Sequence, residues 1–150
     1  SPMSLDDFFL RVDEKLETAK KNETLLKASI DKNLKTLKEA VTRVGPLAEN
    51  YAARLQERGL KADIQKSDES ITLSLTYRNG SYQTITLGGS SRENLIGITV
   101  KHVDNNGEIA ISLDDSRSYD SENWEDGIYE KQLRKFIEDF ISYAESHGGF

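Results

Sequence analysis

The chain has 150 residues, enough for one domain with a core of its own, and its 36% hydrophobic and 31% charged content reads as a protein that stays in water. No apolar run approaches the length that crosses a bilayer, and the lack of cysteine excludes disulfides and thiolate metal sites, so a reducing, cytoplasmic setting is expected. The net charge of −6 is unevenly placed: residues 104–150 hold twelve acids against four bases, while the rest of the chain is slightly basic.

Ser1-Pro2 ahead of Met3 reads as a cloning remnant, and the residues after Met3 lack the short apolar core of a secretion signal. From Leu5 to Val44 apolar residues recur at alternating gaps of four and three: Leu5, Phe9, Val12, Leu16, Ala19, Leu26, Ile30, Leu37, Ala40 and Val44. No Gly or Pro interrupts these positions, and only Glu23 and Asn33 fill the repeat with polar groups, so the spacing predicts one long, coiled-coil-like helix. Gly45-Pro46 predicts a corner that divides the chain into a helical part, 1–45, and an α+β part, 46–150. A short second helix is expected from Pro46 to Arg58, with Gly59 at its C-terminal cap.

After Leu60 the period changes to two. Ile71, Leu73, Leu75 and Tyr77 alternate with Thr72, Ser74, Thr76 and Arg78, and a second strand runs from Tyr82 to Leu87. Parity selects the turn between them. A two-residue loop at Asn79-Gly80 would put apolar side chains on the polar face, whereas a three-residue loop with Gly80 left-handed pairs Leu73 with Ile85 and Ile71 with Leu87. Gly88 to Asn94 is expected to be a mobile connection. Strands come next at Leu95 to Val103 and Glu108 to Leu113, joined by a tight Asn106-Gly107 turn that faces His102 with Ile111. Ala62 to Ser67 suits a fifth strand at the edge. Asp114 to Glu125 reads as an acidic loop, and a closing helix from Asp126 to Ser146 carries the stripe Leu133, Phe136, Ile137, Phe140, Ile141 and Ala144. The predicted class is α+β: long helix, short helix, antiparallel meander of four to five strands, and a C-terminal helix packed on the sheet.

Two surfaces stand out. The stripe is narrow enough for a coiled-coil seam from Leu5 through Phe9, Val12 and Leu16 to Ala19, and with Leu26, Ile30 and Asn33, the last placed to fix register, it predicts a homodimer. Beyond Leu26 the stripe widens through Leu34 and Val41, which suits packing on the chain's own body. The second surface gathers Asp114, Asp115, Asp120, Glu122, Glu125 and Asp126 around Tyr119 and Trp124. An aromatic anchor ringed by acids suits a basic protein partner, and Trp124 equally suits the end of the core.

Other chemistry is thin. The lysines of the long helix have no interleaved aromatics, so a solvated face is expected rather than a nucleic-acid grip. The acidic loop lacks the ligand spacing of a calcium loop, and Gly88-Gly89-Ser90-Ser91-Arg92 lacks the lysine of a phosphate loop, so no metal and no cofactor are expected. His102 and His147 have no nucleophile or further ligand at a recognisable spacing; the first falls on the core face of a strand, the second in a fraying tail. The layout resembles type III secretion chaperones and the small domains that follow coiled coils in chromosome-segregation complexes, a likeness of layout without a shared motif. The expectation is a non-enzymatic adaptor, immunity or chaperone-like protein. Its rivals are a metal-dependent hydrolase or nuclease using Asp114, Asp115 and His102, and a coiled-coil structural protein of a nucleic-acid-associated complex.

Overall fold

Ser4 opens the first element of the computed structural model, which describes residues 3–90, 95–112 and 115–150. Its side-chain oxygen accepts the Asp7 N–H at 3.1 Å, and Asp6 and Asp7 place negative charge at the positive end of the helix dipole. The helix so started, α1 (Leu5–Glu57), runs unbroken for 53 residues, about 80 Å at a 1.5 Å rise. It ends where Gly59, at φ +86°, lets its own N–H reach Gln56 O at 2.9 Å and the Leu60 N–H reach Leu55 O at 3.1 Å, the cap that glycine at this place predicts.

The expected corner at Gly45-Pro46 is absent, and the short second helix is the last quarter of α1. Pro46 removes one backbone hydrogen bond, to the Thr42 carbonyl, and local rules would end the helix there. The apolar spacing, however, continues across it: Leu37, Ala40, Val41, Val44, Ala48, Ala52 and Leu55 are all buried on one face. Burying that continuous face outweighs a single missing bond. Gly45 itself is buried at the crossing with the first strand, where an added Cβ would lie 3.4 Å from Lys66 Nζ.

The strands are β1 (Lys61–Lys66), β2 (Ile71–Thr76), β3 (Tyr82–Gly89), β4 (Ile96–Val103), β5 (Ile109–Ile111) and β6 (Arg117–Tyr119), and α2 (Asp126–Ser142) comes after them. The sheet order is β1-β2-β3-β4-β5, all antiparallel, with β6 on the same edge of β4 as β5 but further along it. The fifth edge strand is β1, and the α+β class stands. In the β2–β3 hairpin, Leu73 faces Ile85 and Ile71 faces Leu87 around Gly80 at φ +90°, the register parity selects.

The second hairpin differs from its expectation by one residue. Asp104 Oδ1 accepts the Asn106 and Glu108 N–H groups, each at 2.9 Å, which builds a three-residue loop with Gly107 at φ +84°. His102 therefore faces Ala110, not Ile111, and Ile109 and Ile111 turn to the outer face, 64% and 53% exposed. Leu113 lies outside the described residues. The expected connection at Gly88 starts later, because Gly88 and Gly89 pair with Gly97 and Ile96 as the end of β3; residues 91–94 lie outside the described part. The acidic loop contains β6, whose Tyr119 pairs with Ile96.

Both helices cover one face of the sheet. Ile71, Leu73, Leu75, Ile85, Leu87, Ile96 and Ile98 meet the buried face of α1 and, from α2, Tyr129, Leu133, Phe136 and Phe140. The other face carries the part-buried pair Thr72 and Thr86, whose hydroxyls bond at 2.8 Å. The tail does not fray. Past a 3-10 turn at Glu145–His147, Gly149 O accepts the Arg78 N–H at 2.8 Å, and the His147 ring stacks on Tyr77 at 4.3 Å.

Candidate functional site

The residues of α1 that the body buries begin at Asn33. Asn33 is buried and its Oδ1 accepts the Ser121 N–H at 2.9 Å, so it lies on the docked side of the boundary rather than in the outward stripe. Lys32 pairs with Glu122 beside it. The 28 residues from Leu5 to Lys32, about 42 Å of helix, extend beyond the body with their apolar repeat uncovered. Leu5 is 72%, Phe9 52%, Leu16 51% and Leu26 57% exposed; Ala19 is exposed, and Val12 and Ile30 are half-buried. So large an apolar stripe left in water is more than ordinary surface scatter.

At the acidic end, Trp124 takes the second of its two expected places, at the end of the core. Trp124 is only 8% exposed, with its ring edge-on to Tyr119 at 5.6 Å, so it closes the end of the core. Its indole N–H donates to Asp126 Oδ1 at 3.0 Å. Asp126 also receives Arg43 through two bonds, at 2.6 and 3.0 Å, and the Arg43 hydrogen bond, aided by Trp124, holds its carboxyl below the usual range against the opposing effect of burial. Asp120 Oδ1 accepts the Glu122 and Asn123 N–H groups at 2.8 and 2.9 Å and so shapes the turn. Glu125 sits at the N-cap of α2 without a side-chain capping bond. Asp115 takes Lys135 at 2.6 Å and Ser112 at 2.8 Å, and the Lys135 bond chiefly lowers its pKa. Asp114 lies outside the described residues. Glu122 and Asp126 thus clamp α1 to the body through Lys32 and Arg43, and Asp115 ties the loop to α2.

A cleft of about 520 Å³ opens between β4, β5 and α2, lined by His102, Ser112, Asp115, Lys135, Asp139 and His147 among others. The two histidines, remote in sequence, stand 5.0 Å apart between ring centroids. Burial, reinforced by His147, pushes the His102 pKa down, which favours the neutral ring. His102 and Asp115 do come to one cleft, but among the described residues no three His, Cys, Asp or Glu side chains converge to hold a metal ion. Reading the sequence misses His147, because only the folded tail brings it back to Tyr77. It also misses the outward Ile109 and Ile111, because their face depends on the loop that Asp104 builds.

Comparison with protein-family models, curated proteins and solved structures finds no match to this chain.

Proposed function

We propose that this chain is a non-enzymatic interaction protein that joins copies of its α+β body through the extended first half of α1. The observation that carries this reading is the uncovered apolar repeat from Leu5 to Ile30, on a helix too long for the body it serves. An isolated helix with such a stripe leaves its apolar surface in water, and a second copy offers a matching stripe for burial. Capture of a basic partner at the acidic end has less support, since Asp115, Glu122 and Asp126 already meet cations of the same chain.

The test is the solution mass of the whole chain by light scattering, beside a double variant, Leu16→Glu with Leu26→Glu. The expected result is twice 16.9 kDa for the parent and 16.9 kDa for the variant. Trp124, the single tryptophan and a buried one, reports by its fluorescence that the body of the variant is intact. A parent that is monomeric at tens of micromolar overturns the reading.

A further inference from the structure

We infer that the occupant of the uncovered stripe is a second copy of this chain lying antiparallel, with Leu5 of one copy opposite Ile30 of the other, so that the two bodies sit at opposite ends of a shared rod. The inference rests on the proposed self-association and adds its geometry. Three independent features of the helix point the same way.

Charge is the first. Residues 5–17 hold five acids and two bases, whereas residues 18–32 hold four bases and two acids. A parallel pair lays acid beside acid, and an antiparallel pair lays the acidic half of each helix on the basic half of the other. The flanking positions sharpen this. With the repeat Leu5, Phe9, Val12, Leu16 and onward as the seam, Asp6, Asp13, Lys20 and Lys27 each come directly after a seam residue, on the same edge. Antiparallel alignment sets Asp6 against Lys27 and Asp13 against Lys20 of the second copy, each pair twice by symmetry. Parallel alignment instead sets Lys15 against Lys20.

The seam itself is the second feature. Glu23 is the one charged residue in the repeat between Leu5 and Ile30. In a parallel pair it meets its own twin, two like charges in an apolar layer, which is strongly unfavourable. In the antiparallel pair the layers are Leu5 with Ile30, Phe9 with Leu26, Val12 with Glu23 and Leu16 with Ala19, so no carboxylate faces another.

The third feature is room. The stripe that is uncovered up to Ile30 continues into Asn33, Leu37 and Ala40, which are buried on the chain's own body. A seam written every seven residues drifts by only about 20° per heptad on a straight helix, so around Ile30 the free stripe and the docked face nearly coincide. Two parallel helices, about 10 Å apart, would run on past residue 33 with each partner helix occupying the place of the other's body. Antiparallel helices end their overlap there. The free stretch is as long as the overlap that this alignment uses.

Spin labels at the outward positions Asp7, Glu14, Lys21 and Ala28, introduced one at a time as cysteine into the whole chain, decide the orientation by dipolar distances. The native chain has no cysteine to compete, and none of the four positions is in the seam. Antiparallel pairing with Leu5 opposite Ile30 gives axial offsets of about 30 Å at residues 7 and 28 and about 10 Å at residues 14 and 21, from the helical rise. The expected result is therefore long distances at the two ends and short ones in the middle. Four equal short distances overturn the orientation and leave self-association standing. A monomeric mass with no dipolar coupling at any position overturns self-association itself.

Discussion

Two buried tyrosines place opposite demands on the core. Tyr77 is fully satisfied: its hydroxyl donates to Phe140 O at 3.0 Å and accepts from Gln83 Nε2 at 2.7 Å, while its ring stacks on Phe140 at 4.0 Å. Tyr129 is as deeply buried, yet its hydroxyl has no hydrogen-bond partner among the described residues. Burial alone pushes the Tyr129 phenol far up, consistent with a hydroxyl lodged in an apolar setting. Removing an unsatisfied buried oxygen spares a desolvation cost, whereas removing a bonded one orphans its neighbours. Tyr129→Phe should leave stability unchanged or raise it by up to about 1 kcal/mol, and Tyr77→Phe should lower it by about 1–2 kcal/mol. Urea unfolding of the two variants and the parent, monitored by Trp124 fluorescence, makes the comparison. Equal losses would mean that Tyr129 donates a bond after all.

Among the elements, α1 sets the strongest contest between local chemistry and packing. Pro46 lies exposed within it, and its missing N–H leaves the Thr42 carbonyl without the usual partner four residues on. The helix survives because the buried face on either side belongs to one body. Pro46→Ala restores that bond and relieves the ring's crowding of the preceding turn, at an exposed position. The expected gain is about 1–2 kcal/mol, since an interior proline costs about 3 kcal/mol and its loss returns some freedom to the unfolded chain. A higher melting temperature checks it; an unchanged or lower one would show the helix already relaxed around the proline. The β4–β5 hairpin is the second contest. Asn-Gly signals a two-residue turn, but the Asp104 carboxylate binds two N–H groups and wins a longer loop, moving every later side chain of β5 to the opposite face.

For the whole molecule, the response to pH draws on groups far apart in the chain, among them His102, Asp115, Asp126 and the buried Tyr77 and Tyr129. The His102 pKa lies below its ordinary 6.5, through burial and then His147, so the fold favours the neutral ring and loses stability as pH falls below about 6.5. Asp115 and Asp126 are held below 3.8 by Lys135 and Arg43, so their contribution is present above that range and is lost as pH falls further, through their folded values. Tyr77 is pushed up to about 12, chiefly by burial, so the fold favours the neutral phenol and loses stability as pH rises from 10 toward 12. Stability should hold from about pH 6.5 to 10 and decline on both sides. His102→Gln should flatten the first part of the acid limb, just below about pH 6.5, and leave the alkaline limb in place. Thermal unfolding across that range tests both statements, and an acid limb that starts equally early in the variant would exclude His102 as its source.

Whatever depends on near neighbours along the chain is determined by the residues unaided. The period of three and four from Leu5 gives the helix, the period of two from Ile71 gives the strand, and parity about Gly80 gives the first hairpin its register, because each compares positions only a few residues apart. The uncovered stripe is legible for the same reason. Only the tertiary structure decided the features that distant partners hold in place. Continuation of α1 through Pro46 depends on a sheet formed later in the chain, and the docked role of Asn33 depends on Ser121, 88 residues away. Use of the acidic end as a clamp depends on Arg43 and Lys32 arriving beside it, and the return of His147 to Tyr77 depends on a hairpin about seventy residues earlier in the chain. Charge counts along a sequence cannot show that opposite charges will meet inside one molecule, because that pairing is a property of the packed layers rather than of spacing.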